Sequence, residues 1–565
     1  MAKLSVEDIK RESRNLRGTI AQELRNSALF FTPEAEKLLK FHGIYEQEDR
    51  DKRKTDRQND HHQVMIRAKL PGGQLNADQY LAMDDIAGHY ANGTLRITTR
   101  QTFQLHGVLK ADLRETIQAM NHALITSLGA CGDIVRNVLV CPAPAMNAQQ
   151  QAVQEFAFKL NEALYPKTRA YHQIFLDDTE LIDDSDIIED EPIYGHTYLP
   201  RKFKIAIAYA GDNCVDVYTN DVGLVAIFGE HDELLGFNLL AGGGMGMTHN
   251  NEETFPRLAD EIAFIKPEQV IEAVTAVVTI HRDYGDRQNR KHARLKYILH
   301  DKGVDWFRDE LANRVSFKFE APRSVPPFAV YDHLGWHVQT NGLLYVGLHV
   351  ENGRIADRPH ERVRSGLRAI IERFNPAIRL TCQQNILLTD ILPEDRLAIE
   401  AMLTEYGIRT VDKISKIRRN GLACVALPTC GLAITEAERV FPQVISEFED
   451  ALDRLDIADA NIMARMTGCP NGCARPYVAE IAFVGRSLDK YTVFLGGNPN
   501  GTRLAQKFLD LVHITDLIPT LTPILRYYRD CRHTDEAFGD FVMRVGFDVL
   551  HQLVGDEAVK SAVGD

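Results

Sequence analysis

LRITTRQTFQL, residues 95–105, returns in altered form as IRLTCQQNILL, residues 378–388. Aligning the two sets Arg96 on Arg379, Thr98 on Thr381 and Gln101 on Gln384. Both copies alternate apolar and polar side chains, the period of a strand with one face in a core. The likeness extends outward. Before the first copy, VMIRAKL (64–70) alternates, Pro71-Gly72-Gly73 turns, and AMDDIAGHYA (82–91) has an apolar helical face. Before the second, the segment from Leu348 to Phe374 carries the same turn and helix. Strand, turn, helix and strand therefore occur twice. Flanking segments repeat more weakly: FKIAIAYA (203–210) to GFNLLAGGG (236–244) resembles PYVAEIAFVG (476–485) to YTVFLGGNPNG (491–501), each an αβ segment ending in a glycine loop. The expectation is an α+β protein of two pseudo-equivalent halves, with a cofactor in the cleft between them and each half free to specialise.

With 565 residues, 44% of them hydrophobic, the chain can bury several cores, and length alone suggests about three or four domains. MAKLSVEDIKRESRN at the start is charged and has no apolar secretory core. No uncharged apolar run approaches the roughly 20 residues of a membrane helix, so a soluble cytoplasmic protein is expected. A formal charge of −14 argues against nucleic acid, which requires clustered Lys and Arg. The run EQEDRDKRKTDRQNDHHQ (46–63) is expected to be a solvated arm, with docking of a partner as the alternative.

Nine cysteines is an odd number spread thinly, which suggests no disulfide framework. Four of them fall in two Gly/Pro-rich loops: Cys424 and Cys430 in ACVALPTCGLA, Cys469 and Cys473 in RMTGCPNGCARP. Four thiolates suit an iron–sulfur cube or a structural zinc ion. Zinc pairs are usually two to four residues apart, and five residues separate Cys424 from Cys430. Cys131, Cys141, Cys214, Cys382 and Cys531 are expected to be reduced buried thiols.

Basic residues concentrate in the first half. Arg67, Arg96, Arg100, Arg136, Arg201, Lys202 and Lys204 lie in or beside alternating apolar stretches, where unpaired charge is costly and a buried cation calls for an anion. Alternation puts Lys202 and Lys204 on one strand face with Phe203 on the other. Two adjacent ammonium groups lower each other's pKa and become better proton donors. The alternative is that these residues are exposed, or paired with carboxylates elsewhere. GGGMG (242–246) and GGNPNG (496–501) lack the spacing and downstream acid of a dinucleotide loop.

The two cysteine loops resemble the cluster motif of the sirohaem-dependent sulfite and nitrite reductases. Other blocks resemble that family in the same order: LPGG (70–73), RITTRQTFQLHG (96–107), RNVLVCP (136–142), YLPRKFK (198–204), GFNLLAGGG and HRDYGDRQNRKHARLKY (281–297). Length and IKRESRNLRGTI (9–20) are most similar to the haemoprotein (beta) subunit of bacterial assimilatory NADPH-sulfite reductases. The resemblance implies duplicated ferredoxin-like halves (64–128 and 337–410) after an N-terminal arm (1–63). It also implies two αβ domains, a sirohaem-binding one at 129–336 and one at 411–565 carrying the cluster.

It implies a 4Fe-4S cluster on Cys424, Cys430, Cys469 and Cys473, with Cys473 also holding the sirohaem iron. Arg67, Arg136, Lys202 and Lys204 would line the substrate pocket. Arg96, Arg100, Gln101, Thr102, Gln104, Arg201 and Asn471 would bind the sirohaem, and the stretch from Arg282 to Lys296 would lie near its carboxylates. The implied reaction is six-electron reduction of sulfite to sulfide, with electrons from a separate NADPH-oxidising flavoprotein, or from a ferredoxin as the alternative. Nitrite reduction is the alternative reaction. In the family the second position of the K-x-K pair tends to be Asn in nitrite enzymes, and here it is Lys204. A zinc- or cluster-bearing binding protein without turnover would need the cysteines but not the cations.

Overall fold

The computed structural model describes residues 4–56, 61–177 and 190–555. The two copies seen in the sequence form two five-stranded antiparallel sheets. The first has the order β1 (Ile44–Glu48), β2 (His62–Arg67), β5 (Phe103–Val108), β4 (Leu95–Ile97), β13 (Arg354–Ile355). The second is β11 (Gly335–Val338), β12 (Leu344–Leu348), β17 (Ile386–Ile391), β16 (Ala377–Leu380), β3 (Gln74–Leu75). Each copy lends a two-residue edge strand to the other's sheet, β3 to β16 and β13 to β4. The lending turns require glycine. Gly73 (φ +70°) and Gly353 (φ +74°) would place a Cβ 2.6 Å from the Leu380 carbonyl oxygen and 2.3 Å from that of Ile97, closer than any side chain allows. A small hairpin, β14 (Asp357–Arg358) with β15 (Glu361–Arg362), precedes the second copy's helix.

Helix Ala77–Tyr90 starts with a capping box between Asn76 and Gln79, which satisfies two of the N–H groups a helix start leaves free. It packs on its counterpart, Val363–Phe374. Arg364 and Arg368 of that helix reach the buried Asp84 at 2.6 and 2.9 Å.

The flanking segments also form a matched pair. In one sheet, β6 (Leu139–Val140), β7 (Ile205–Tyr209) and β8 (Val222–Phe228) run parallel, and β9 (Leu234–Ala241) and β10 (Asp260–Ile265) follow antiparallel. β18 (Leu422–Ala423), β19 (Ala464–Thr467), β20 (Ile481–Ser487), β21 (Lys490–Leu495) and β22 (Gln506–His513) repeat that pattern strand for strand. One sequence alignment is corrected by this. PYVAEIAFVG runs into β20, the counterpart of β8, and the true counterpart of β7 is β19, which ends at the Cys469 loop. The weak likeness misled because both strands are short, apolar and parallel.

The N-terminal segment departs from the expected solvated arm. β1 is the edge of the first sheet, paired with β2 over its whole length. The helix Arg50–Thr55 turns Arg50 toward the cysteine loop, where it donates to the carbonyls of Pro428, Ala433 and Cys430. Asp51 pairs with Arg439 at 2.8 Å. Residues 57–60 of the charge run lie outside the described residues. Among the described residues no helix is long and apolar enough to cross a membrane.

Candidate active site

The two αβ sheets face each other across a cleft. Residues 201–204 lead into β7 in extended form, and Phe203, fully buried, bridges Val135. Alternation then puts both Lys202 and Lys204 on the cleft side. There they meet Arg100, Arg294, Asn471, Cys473 and Arg475, with no Asp or Glu among the described residues lining the cleft.

These cations differ in how they are balanced. Arg294 forms a two-pronged pair with buried Asp221 at 3.0 and 2.9 Å, and the same carboxylate accepts the Lys204 N–H. Arg475 pairs with Asp216 at 2.8 Å, and Arg465 reaches that carboxylate at 3.0 Å. Arg100 instead donates to the Asn220 side chain at 2.8 Å and to the carbonyls of Asn137 and Ile205. Carbonyls orient a guanidinium without neutralising it, and burial pulls the Arg100 pKa down to about 9. Neither Lys202 nor Lys204 has an ion-pair partner among the described residues. Burial pushes Lys202 down to about 7, helped by Arg136, Arg294 and Arg201. Lys204 lies well below the ordinary lysine value, again through burial first and then Lys202. Three basic side chains without a carboxylate, inside a protein of charge −14, make a pocket suited to an anion, whose charge favours their protonated forms.

The other pocket residues stand beside this group. Arg136 is buried and donates to the Tyr45 hydroxyl at 3.4 Å and to the Gly132 carbonyl. Arg67 lies 3.0 Å from the Cys131 sulfur, and Arg67, Arg136 and Arg201 all act on Tyr45. Nε of Arg67, Nε of Arg100 and Nε2 of His106 are buried without a hydrogen-bond partner. Such donors are costly unless a guest accepts from them, and a macrocycle bearing several carboxylates suits them. Arg96 is already paired with Glu438 at 2.7 Å and donates to the Ala423 carbonyl beside Cys424. Gln104 is buried against Met65.

Two expected contacts are corrected. The Gln101 amide exchanges hydrogen bonds with both backbone groups of Val140 and donates to the Leu380 carbonyl. Thr102 donates to the Ala68 carbonyl. Both side chains are fully buried; Gln101 braces one half against the other and Thr102 braces the first copy, and neither faces the cleft.

The four cysteines lie on the loops that follow β18 and β19. Cys469 is buried, while Cys473 opens into the cleft. The Gly468 N–H and the Asn471 side chain each donate to a sulfur at 3.4 Å, that of Cys424 and that of Cys469. Burial raises Cys424 far above the usual thiol range and Cys469 to about 11, and Cys473 adds to both. The thiols are thus crowded enough to repel as thiolates, which calls for a cationic guest. Gly472, at φ +64°, brings its backbone against Met245 of the first half, and the Met247 N–H donates to the Pro470 carbonyl at 2.9 Å.

Residues that the sequence did not single out line the cleft or hold its basic side chains from behind. Arg294 sits within the basic stretch 281–297, and Arg475 lies two residues after Cys473, so both had a positional signal. Tyr45, Asp216, Asn220 and Asp221 had none, since only the fold brings them to the cations.

Similarity to known proteins agrees with this geometry. The description "Nitrite and sulphite reductase 4Fe-4S domain" matches residues 156–319 and 416–562. "Nitrite/Sulfite reductase ferredoxin-like half domain" matches 56–123 and 337–406. The chain is 46% identical over 549 residues to a sulfite reductase [NADPH] hemoprotein beta-component of Myxococcus xanthus, covering 96% of each. A Geobacillus thermodenitrificans protein of the same name is 45% identical, covering 96% of this chain and 95% of the relative. A sulfite reductase [ferredoxin] of Synechococcus elongatus is 42% identical, covering 97% and 90%. Among solved structures, the Mycobacterium tuberculosis NirA protein shares the fold with a TM-score of 0.77 at 23% identity, covering 97% of this chain and 98% of that one. The chain belongs to the nitrite and sulphite reductase family.

Proposed function

We propose that this chain is the haemoprotein component of an assimilatory sulfite reductase, reducing sulfite to sulfide by six electrons. The observation that carries this is the set of three cations without carboxylate partners facing the sulfur of Cys473. Cys424, Cys430, Cys469 and Cys473 would hold a 4Fe-4S cluster, with Cys473 also the ligand of a sirohaem iron. Arg96, Arg100, Gln104, Arg201 and Asn471, with the orphaned nitrogens of Arg67 and His106, would serve the macrocycle's periphery. Bound there, the coupled pair supplies successive electrons and an open iron position.

The chain supplies charge and protons. Lys202, Lys204, Arg67 and Arg136 bind the anion's oxygens and hold it in one orientation. Lys202, with a pKa near 7, changes protonation at little cost and serves as proton donor as each oxygen leaves as water. Lys204 in the second K-x-K position favours a dianion over nitrite.

The similarity to beta-components of NADPH-linked enzymes supports a separate NADPH-oxidising flavoprotein as donor, and the Synechococcus relative keeps a ferredoxin as the second reading. We place the protein in the cytoplasm, consistent with nine unpaired cysteines. The test is the absorption spectrum of the purified protein followed by oxidation of reduced viologen with sulfite or nitrite. A coupled Soret band and preferred turnover of sulfite are expected. A colourless protein would refute the cofactors, and faster nitrite turnover would refute the substrate.

A further inference from the structure

The first half holds a second group of metal-type donors where the second half holds its cluster cysteines. Cys141 directly follows β6, as Cys424 directly follows β18. Cys214 lies two residues before Asp216, whose backbone is left-handed (φ +48°) and opens a short turn. Cys473 lies two residues before Arg475, which is left-handed (φ +54°) and opens the matching turn. To Cys141 and Cys214 the fold adds Asp212 and His333, and the ligand atoms of all four lie within 4.8 Å of one another. The expectation that Cys141 and Cys214 are merely buried thiols overlooked this, because His333 is remote in sequence.

The distances are those of a single ion. The Cys141 sulfur is 3.4 Å from Asp212 Oδ2 and 3.6 Å from His333 Nε2. A tetrahedral zinc with Zn–S of about 2.3 Å and Zn–N or Zn–O of about 2.0 Å has edges near 3.5 Å. The donors are also held in place. Asp212 Oδ1 accepts the Cys214 N–H at 2.9 Å, leaving Oδ2 toward Cys141. The loop carrying Asp212 and Cys214 is bound to the connector carrying His333: the Asn213 N–H donates to the Ala329 carbonyl at 2.8 Å, and the Ala329 N–H to the Gly211 carbonyl at 2.9 Å. Opposite His333, Gly347 leaves no room for a Cβ, which would lie 2.0 Å from the His333 carbonyl oxygen.

We infer that Cys141, Asp212, Cys214 and His333 bind one divalent transition-metal ion, zinc by donor type, in a closed site that staples the first αβ sheet to the connector leading into the second ferredoxin-like copy. Four protein donors leave no open position, so the ion is structural. Its binding releases the thiol protons and transfers no electrons.

The test uses the untagged holoprotein incubated with Zn²⁺ and freed of excess metal. Elemental analysis should find about one zinc per chain, and the zinc absorption edge about two sulfur and two nitrogen or oxygen neighbours. Cys141→Ser with Cys214→Ser should lower zinc at least tenfold while iron content and the Soret band stay unchanged, and Asp212→Asn should weaken zinc retention. The inference is overturned if the wild-type chain retains no zinc, if its zinc shows four sulfur neighbours, if Cys141 and Cys214 prove to be joined as a disulfide, or if the double variant keeps its zinc. Should the double variant not fold, the coordination of zinc in the wild-type protein decides.

Discussion

Asp216→Asn is the most informative single substitution. The Asp216 carboxylate, from the first αβ sheet, sits 3.0 Å from Arg465 and 2.8 Å from Arg475, both from the second, and all three side chains are below a tenth exposed. At 3 Å and an effective dielectric near 20, each contact is worth about 5 kcal/mol before desolvation. Burial works against the Arg465 guanidinium, which is already pulled down to about 10. Removing the carboxylate strands two buried cations, a loss of about 3–5 kcal/mol after relaxation. The control is Glu48→Gln, which removes the 2.8 Å pair with Arg53, whose partners are 28% and 57% exposed. That pair should contribute under about 1 kcal/mol. Thermal melts followed by circular dichroism and by the Soret band should show Asp216→Asn melting roughly 3–4 °C lower, with cofactor loss in the same transition, because Arg475 is two residues from Cys473. Equal melting of the two variants would refute the view that this buried triad joins the halves.

Four further outcomes are expected. Cys473→Ser should abolish the coupled spectrum and sulfite turnover together; a variant that kept both would remove the basis of the site. Lys202 loses its charge as pH rises through about 7, so the sulfite KM should rise above neutrality, and Lys202→Arg should flatten that limb relative to wild type. Glu438 accepts from Arg96 and Arg354, and although burial opposes its charge, the two guanidiniums hold it at about 2. Its depressed pKa contributes about 3 kcal/mol above the ordinary Glu value of 4.5, so the deficit of Glu438→Gln in denaturant titrations should be full at pH 7 and should vanish as pH falls toward 2. Gln101→Leu leaves the N–H and carbonyl of Val140 and the Leu380 carbonyl without that partner, which should cost about 1–3 kcal/mol in unfolding experiments, with sulfite turnover per folded molecule unchanged.

What could be read from the sequence follows from where the information sits. LRITTRQTFQL and IRLTCQQNILL each carry a strand's period and a shared turn, so the duplication was visible. The exchange of β3 and β13 was not, because a two-residue strand has no periodicity and its place is set by Gly73 and Gly353 packing on the opposite copy. The K-x-K pair was found by alternation, which holds although residues 201–204 make one bridge rather than a full strand. Gln101 and Thr102 were misassigned because sequence cannot tell a polar residue facing a ligand from one bracing a turn. Asp216, Asp221 and Tyr45 became part of the site only through contacts that span long stretches of chain.

The duplication also sets a constraint on which positions could stay alike. Gln101 and Gln384 are matched, both left-handed (φ +52° and +66°), and each donates its amide to the carbonyl that ends the first strand of its own half's αβ sheet, Val140 and Ala423. A neutral amide can occupy both equivalent places, as can Gly73 and Gly353. Asp216 and Arg475 also hold equivalent places, at the left-handed start of matching turns, and they pair with each other at 2.8 Å. Two carboxylates or two guanidiniums in those positions would have met as like charges in a buried space. Where equivalent side chains touch, the two halves had to diverge in sign, and that divergence puts an arginine beside Cys473 and leaves Cys214 beside an aspartate.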